Sequence, residues 1–149
     1  MKSTFEVILS FAIEKEREAV EFYEELSRIA KRPSSKKMFE EFAKEETKHA
    51  ELLEGVAEDK IPDVPLQKTT DLKISDYLID VSFKPDIDYQ DALIIAMKRE
   101  EKAVRLYKDL AEKMTEDKIK NLLQFMAEEE AKHKLRLETE YDDNVLADG

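Results

Sequence analysis

Two pairs of similar segments, equally spaced in the two halves of the chain, indicate its fold. EREAVEFY at 16–23 precedes EETKH at 45–49, and EEKAVRLY at 100–107 precedes EEAKH at 129–133. A shift of 84 residues superimposes one pair on the other and aligns residues 9–54 with the second half of the chain without a gap. Of those 46 aligned positions, 15 are identical, whereas chance at roughly 6% per position would give about three. The chain therefore consists of two copies of one unit.

Each copy predicts a helical hairpin, because its apolar residues recur at the three- and four-residue spacing that forms one buried face of a helix. Pro33 interrupts the first copy, and the residue before a proline avoids helical backbone angles. Ser3 with Glu6 fits a capping box, while Asp88 and Thr115 are candidate N-caps. From these signals we predict helices over 4–31, 35–58, 88–114 and 115–141, followed by a frayed tail over 142–149.

The segment 59–87 between the hairpins carries three of the four prolines and is unusually long for a loop in a compact domain. Within it, residues 74–81 are expected to form a short helix. A crossover along the bundle would account for the length, because helices of about 25 residues are about 38 Å long. We therefore expect an all-α fold: a ferritin-like four-helix bundle of two helical hairpins, 4–58 and 88–141, with the long crossover between its second and third helices, in one domain over 1–149. The alternative is an ordinary up-down bundle with an excursion between the hairpins.

Composition excludes several classes of function. Lys and Arg number 25 and Asp and Glu 36, so the net charge is −11, which argues against a nucleic-acid partner. The sequence has no cysteine, which rules out a thiol nucleophile, a Cys-ligated zinc site and a Cys-held iron–sulfur centre. No stretch approaches 18 consecutive apolar residues and the N-terminus does not resemble a signal peptide. We therefore expect a cytoplasmic protein with no membrane partner.

A glutamate interrupts the apolar stripe near the middle of each predicted helix, and in the second and fourth helices a histidine follows three residues later. These residues are Glu16, Glu46, His49, Glu100, Glu130 and His133. A buried carboxylate either protonates or needs a compensating charge, and these stripes contain no Lys or Arg. A helix that rolls to expose its glutamate would explain one such position. Six positions placed identically in two copies indicate instead a charged centre inside the bundle.

Divalent metal ions would supply the missing positive charge. Thirty residues separate Glu16 from Glu46 and Glu100 from Glu130, and each turn lies about midway, so both members of a pair are expected at one height. Four carboxylates balance the charge of two divalent ions, and neutral imidazoles add nitrogen ligands. One Glu from each of two helices with Glu-x-x-His from the other two is the arrangement of di-iron carboxylate proteins. Oxygen and imidazole ligands suit iron or manganese and also admit zinc.

Two tyrosines, Tyr23 and Tyr107, lie seven residues after Glu16 and Glu100 on the same stripes. They are either core aromatics with a satisfied hydroxyl, or partners that assist catalysis by donating a hydrogen bond to a ligand carboxylate. The neighbouring glutamates off the stripes are expected to face solvent: Glu18, Glu45, Glu128 and Glu129.

The repeated E-x-x-A-x-x-x-Y at 16–23 and 100–107, together with E-x-x-H at 46–49 and 130–133, resembles the rubrerythrin family of ferritin-like di-iron proteins. The resemblance covers nearly the whole chain. It implies a site for two iron ions with six ligands, namely the four glutamates and two histidines of the apolar stripes. In that site Glu46 and Glu130 would bridge the two metals, and Glu16 and Glu100 would be terminal.

The resemblance also implies an oxidoreductase that reduces hydrogen peroxide or dioxygen. Electrons would come from a separate protein such as a rubredoxin-like donor, because this chain lacks the cysteines of a rubredoxin domain. Ala103 stands where the family has a further carboxylate. The alternatives are an iron-handling ferroxidase and a structural bundle stapled by metal. Apolar residues within 59–87 are expected to cover the bundle or a second subunit, and we expect a homodimer.

Overall fold

The computed structural model describes residues 4–58, 77 and 86–148. It contains four helices: α1 over Thr4–Ile29, α2 over Pro33–Glu58, α3 over Tyr89–Lys113 and α4 over Asp117–Asp148. α1 packs along α2 and α3 along α4, while the hairpins meet through thinner α1–α3 and α2–α4 contacts. The predicted all-α bundle of two helical hairpins is thus confirmed. Within the described ranges, none of the helices combines the length and apolar character that a membrane span requires.

The predicted start and end of α4 are both wrong. α4 does not begin at Thr115, because the Glu116 carboxylate caps the helix by accepting hydrogen bonds from the backbone N–H groups of Lys118, at 3.2 Å, and Ile119, at 3.0 Å. The tail that was expected to fray continues α4 to Asp148. Packing explains the extension, because even Asn144 in this last part is buried.

Other predicted helix signals have mixed outcomes. α2 begins at Pro33, a favourable first position because proline lacks the N–H that would have no partner there. Asp88 occupies the N-cap position of α3, although its side chain makes no capping hydrogen bond. The predicted capping box at Ser3 and the short helix over 74–81 lie outside the described residues, apart from the buried Tyr77.

A polar layer divides the core of the bundle into two apolar clusters. The first contains Leu9, Leu110, Leu123 and Met126, and the second contains Leu26, Phe39, Phe42, Leu93 and Leu137. In every helix the predicted glutamate lies between the residues that belong to the two clusters. Apolar packing on both sides therefore holds the four glutamates at one depth and shields them from water.

Glu140 on α4 shows the direction of the helices. It accepts hydrogen bonds from Ser35 Oγ at 2.7 Å, from Tyr89 Oη at 2.7 Å and from Arg32 Nη2 at 2.6 Å. Because Ser35 lies at the start of α2 and Tyr89 at the start of α3, both helices begin at the same end of the bundle. The chain between Glu58 and Tyr89 therefore joins opposite ends, as the predicted crossover requires.

Candidate metal centre

All six side chains of the predicted centre meet in the polar layer. The structure leaves only 1–3% of each exposed: Glu16, Glu46, His49, Glu100, Glu130 and His133. Their ligand atoms form two groups, and within each group the atoms lie within 4.8 Å of one another. The groups are Glu16, Glu46, His49 and Glu130, and Glu46, Glu100, Glu130 and His133. Glu46 and Glu130 therefore belong to both groups.

Helix periodicity explains how α2 and α4 each present two of these side chains. His49 follows Glu46 by three residues, and His133 follows Glu130 by three, so each pair lies on one helix face. His49 Nδ1 lies 3.2 Å from Glu46 Oε1 and 2.8 Å from Glu130 Oε1. His133 Nδ1 lies 3.3 Å from Glu46 Oε1 and 3.6 Å from Glu100 Oε2. The Nδ1 atoms of both imidazoles therefore face the carboxylates.

One buried polar atom of each of the six residues lies close to its neighbours but makes no hydrogen bond of acceptable geometry. These atoms are Glu16 Oε2, Glu46 Oε1, His49 Nδ1, Glu100 Oε2, Glu130 Oε1 and His133 Nδ1. Buried polar atoms are nearly always satisfied, and each exception costs about 1–3 kcal/mol. Carboxylate oxygens and imidazole nitrogens are also the donors that divalent transition metals accept. The residues present thus fit a pair of divalent cations.

The crowded charges shift the titration of the cluster. Burial, followed by the neighbouring carboxylates, raises the pKa values of Glu46 and Glu130 well above the ordinary range. Burial by itself would lower the pKa of His49, but contacts with Glu130 and Glu16 outweigh it and raise this pKa to about 10. The carboxylates around His133 raise its pKa in the same way, again against the effect of burial. Without metal, the layer therefore retains protons as its source of positive charge.

Tyr23 and Tyr107 connect the hairpins through this cluster. Tyr23 Oη on α1 donates a hydrogen bond to Glu100 Oε1 on α3 at 2.6 Å, and Tyr107 Oη on α3 donates to Glu16 Oε1 on α1 at 2.5 Å. Burial and then the adjacent carboxylates raise the pKa of both hydroxyls, so both stay protonated. The geometry satisfies both interpretations of these tyrosines, as core aromatics and as carboxylate partners, and their part in catalysis stays a prediction.

Glu45 makes a contact that its position in the sequence did not predict. Instead of facing only solvent, its Oε2 contacts Nε2 of His133 across the α2–α4 interface. This hydrogen bond lowers the pKa of Glu45. The corresponding residue of the second copy, Glu129, pairs with Lys132 at 3.1 Å. In the sequence, both residues are the first glutamate of a Glu-Glu pair, so the sequence does not show that only Glu45 contacts a histidine.

A cavity of about 50 Å³ reaches the cluster between α1 and α3. Its walls include Ala19 and Ala103, whose short side chains leave room between the helices, and the hydroxyl-bearing Tyr107. The four buried glutamates line it, and so do three cationic side chains: Lys15, Arg99 and Lys102. Tyr77 lines it too, so among the described residues the cavity lies on the α1–α3 side of the carboxylates and beside the crossover.

Comparison with known proteins agrees with this geometry. The Rubrerythrin family model matches residues 7–141. A hypothetical protein from Pyrococcus furiosus is 29% identical, with a TM-score of 0.72 over 91% of this chain and 86% of that one. A protein from Thermotoga maritima that is named as a ferritin-like diiron-carboxylate protein has the same fold, with 24% identity and a TM-score of 0.70 over 92% of this chain and 93% of that one. No curated protein matches. Because the family match spans almost the entire sequence, this chain belongs to the rubrerythrin family.

Proposed function

We propose that this chain binds two iron ions in the polar layer and reduces hydrogen peroxide with electrons from a separate redox protein. The proposal rests on six buried oxygen and nitrogen atoms that make no hydrogen bond of acceptable geometry. The residues that carry them form two overlapping groups of four possible metal ligands. A purely structural polar cluster would pair its atoms, because unsatisfied buried donors and acceptors are destabilising. Membership of the rubrerythrin family supports the same chemistry.

Each metal position would combine its own glutamate and histidine with the shared pair Glu46 and Glu130. The first position would use Glu16 and His49, and the second would use Glu100 and His133. Four deprotonated carboxylates carry a charge of −4 and two divalent ions +4, so the ions would balance the carboxylates and take the place of the protons that the metal-free layer retains. Ligand sets rich in oxygen and imidazole suit iron, with manganese and zinc as competitors.

When bound, a reduced iron pair supplies the two electrons that convert hydrogen peroxide and two protons into two molecules of water. The residues of the chain admit and orient the substrate. The cavity between α1 and α3 offers a route to the carboxylates. Tyr107 lines this cavity, and its hydroxyl, held protonated by burial, provides a hydrogen-bond donor beside Glu16. A separate rubredoxin-like protein would supply the electrons, since the given sequence has no cysteine to hold a rubredoxin-type iron.

Stopped-flow mixing of the anaerobically reduced, two-iron protein with hydrogen peroxide, and separately with dioxygen, tests the proposal. We expect faster oxidation by peroxide. Consumption of many Fe²⁺ ions per chain would identify an iron-handling protein instead, and no reaction with either oxidant would leave only a metal-stapled bundle. The zinc-loaded protein is the control, because zinc has no redox chemistry.

Ala103→Leu should slow the reaction with peroxide without removing iron. The larger side chain would fill the cavity of about 50 Å³ through which we propose that peroxide enters. We expect the rate constant to fall by roughly 10–100-fold, because a peroxide that no longer fits beside the carboxylates is displaced from its reactive position, and a displacement of about 1 Å can cost about 100-fold. Ala131→Leu adds the same bulk at an exposed position of α4 and should react like the wild type. An unchanged rate in Ala103→Leu with full iron content would show that peroxide enters elsewhere.

A further inference from the structure

We infer that Glu45 is a positioning residue that makes the two metal positions unequal, so that the position served by His133 binds a divalent metal more tightly than the position served by His49. The inference rests on the proposed metal centre and deepens it. It assigns the His133 position as the one that retains its ion and the His49 position as the one that exchanges.

Three contacts fix the imidazole of His133. The ring stacks on Phe42 with 4.1 Å between centroids and an interplanar angle of 22°. Tyr23 meets it edge-on at 6.2 Å, and Glu45 contacts Nε2. Nδ1 consequently faces the buried carboxylates. A carboxylate that accepts a hydrogen bond from Nε2–H fixes the tautomer that leaves Nδ1 free for a metal, and it makes Nδ1 a better ligand.

The internal repeat provides the comparison. Glu45 and Glu129 are 84 residues apart, and each directly precedes the shared glutamate of its copy. Glu129 nevertheless pairs with Lys132 on the surface of α4, with 3.1 Å between Nζ and Oε2. Its carboxylate is thus engaged away from His49, whose Nδ1 lies 2.8 Å from Glu130 Oε1. Among the described residues, the same sequence pattern therefore places a carboxylate on Nε2 of His133, whereas the corresponding carboxylate near His49 pairs with Lys132.

This difference has a direct consequence for loading. The residues that face the two ions are equivalent in kind, a glutamate and a histidine with two shared glutamates. The support behind the histidine is not equivalent, and loss of such support typically lowers metal affinity by about 10–100-fold. The negative charge of Glu45 adds attraction at the same position. The first ion should therefore enter the His133 position and the second the His49 position.

Anaerobic titration of the metal-free protein with Co²⁺, followed by visible absorption and calorimetry, tests this order without any redox reaction. Wild-type protein should bind two ions in steps separated by about 10–100-fold. Glu45→Gln should weaken the tighter step by about that factor and bring the steps together, whereas the matched variant Glu129→Gln should titrate like the wild type. The Glu45 side chain is 41% exposed and glutamine has the same shape, so folding is retained.

Proton NMR of the Co²⁺-loaded protein adds a measurement that a merely structural role would not change. The cobalt ions move the imidazole N–H resonances away from the other signals. The Nε2 hydrogen of His133, which Glu45 accepts, should exchange with water more slowly than that of His49. Glu45→Gln keeps an acceptor oxygen but loses the charge, so it should reduce this difference, and Glu129→Gln should preserve it.

Two equal binding steps in the wild type, or the same response to both substitutions, would overturn the inference and leave the proposed peroxide chemistry standing. Two unequal cobalt steps in a protein that fails to react with peroxide would have the opposite meaning. They would support the role of Glu45 and contradict the proposed function.

Discussion

The variant Glu46→Ala should lose both metal ions and not only one. Glu46 contributes to both groups of ligand atoms, so its removal leaves each position with three side chains. It also leaves three carboxylates to balance two divalent ions. Removing one partner of a buried charge pair costs about 3–5 kcal/mol, which corresponds to roughly 10²–10⁴-fold in affinity. Iron analysis after anaerobic loading and gel filtration should therefore find far fewer than two ions per chain.

Matched variants separate loss of a ligand from loss of the fold. Glu130→Ala removes the other shared residue and should behave in the same way, whereas Glu51→Ala changes an exposed residue of the same helix as Glu46 and should retain two ions. Glu46→Gln keeps the side-chain volume without the charge, so its metal-free form should be at least as stable as the metal-free wild type at pH 8. Two tightly bound irons in Glu46→Ala would contradict the ligand assignment.

The polar layer could be predicted from the sequence because its causes are local. The helical period fixes the face on which each side chain lies, and equal distances from two turns fix its height along the hairpin. Glu16 and Glu100 illustrate this, since corresponding positions in the two copies reach the same buried centre. The internal repeat strengthens the prediction of a buried polar centre, because a chance interruption of one apolar stripe would not recur at the corresponding position of the second copy. The role of these residues as metal ligands stays a prediction.

Glu45 and Glu140 show what the sequence could not predict. Glu45 lies one position away from the apolar stripe, so periodicity assigned it to solvent, and its contact with His133 depends on how α2 and α4 meet. Glu140 lies beyond the centre, and hydrogen bonds from Ser35 and Tyr89 on two other helices compensate the burial of its carboxylate. Both contacts join residues distant in the chain, and no local pattern specifies them.

The metal-free protein should lose stability as the pH rises from about 5 to 8. Burial and neighbouring carboxylates raise the native pKa values of Glu46 and Glu130 above the ordinary 4.5. The pKa of His49 is raised from 6.5 to about 10, and that of His133 is raised as well. Such groups keep their protons in the native state at pH values where the unfolded chain has released them. The native state therefore binds more protons, and the free energy of unfolding falls as the pH rises.

Urea titrations of the metal-free protein at intervals between pH 5 and pH 8 measure this effect, which amounts to about 1.4 kcal/mol per pH unit for each extra proton bound by the native state. Glu45 contributes with the opposite sign because its pKa is lowered, but that contribution is lost below about pH 4.5, outside this range. Replacing both Glu46 and Glu130 by glutamine should weaken the dependence, most clearly below about pH 6.5, since neither position then titrates and the histidines contribute mainly above that pH. Loading with metal should also flatten it, because metal binds the deprotonated ligands and takes the place of the protons. A urea midpoint that stays constant or rises across this range in the metal-free wild type would mean that the layer is compensated without protons, and the charge argument for the two cations would then fail.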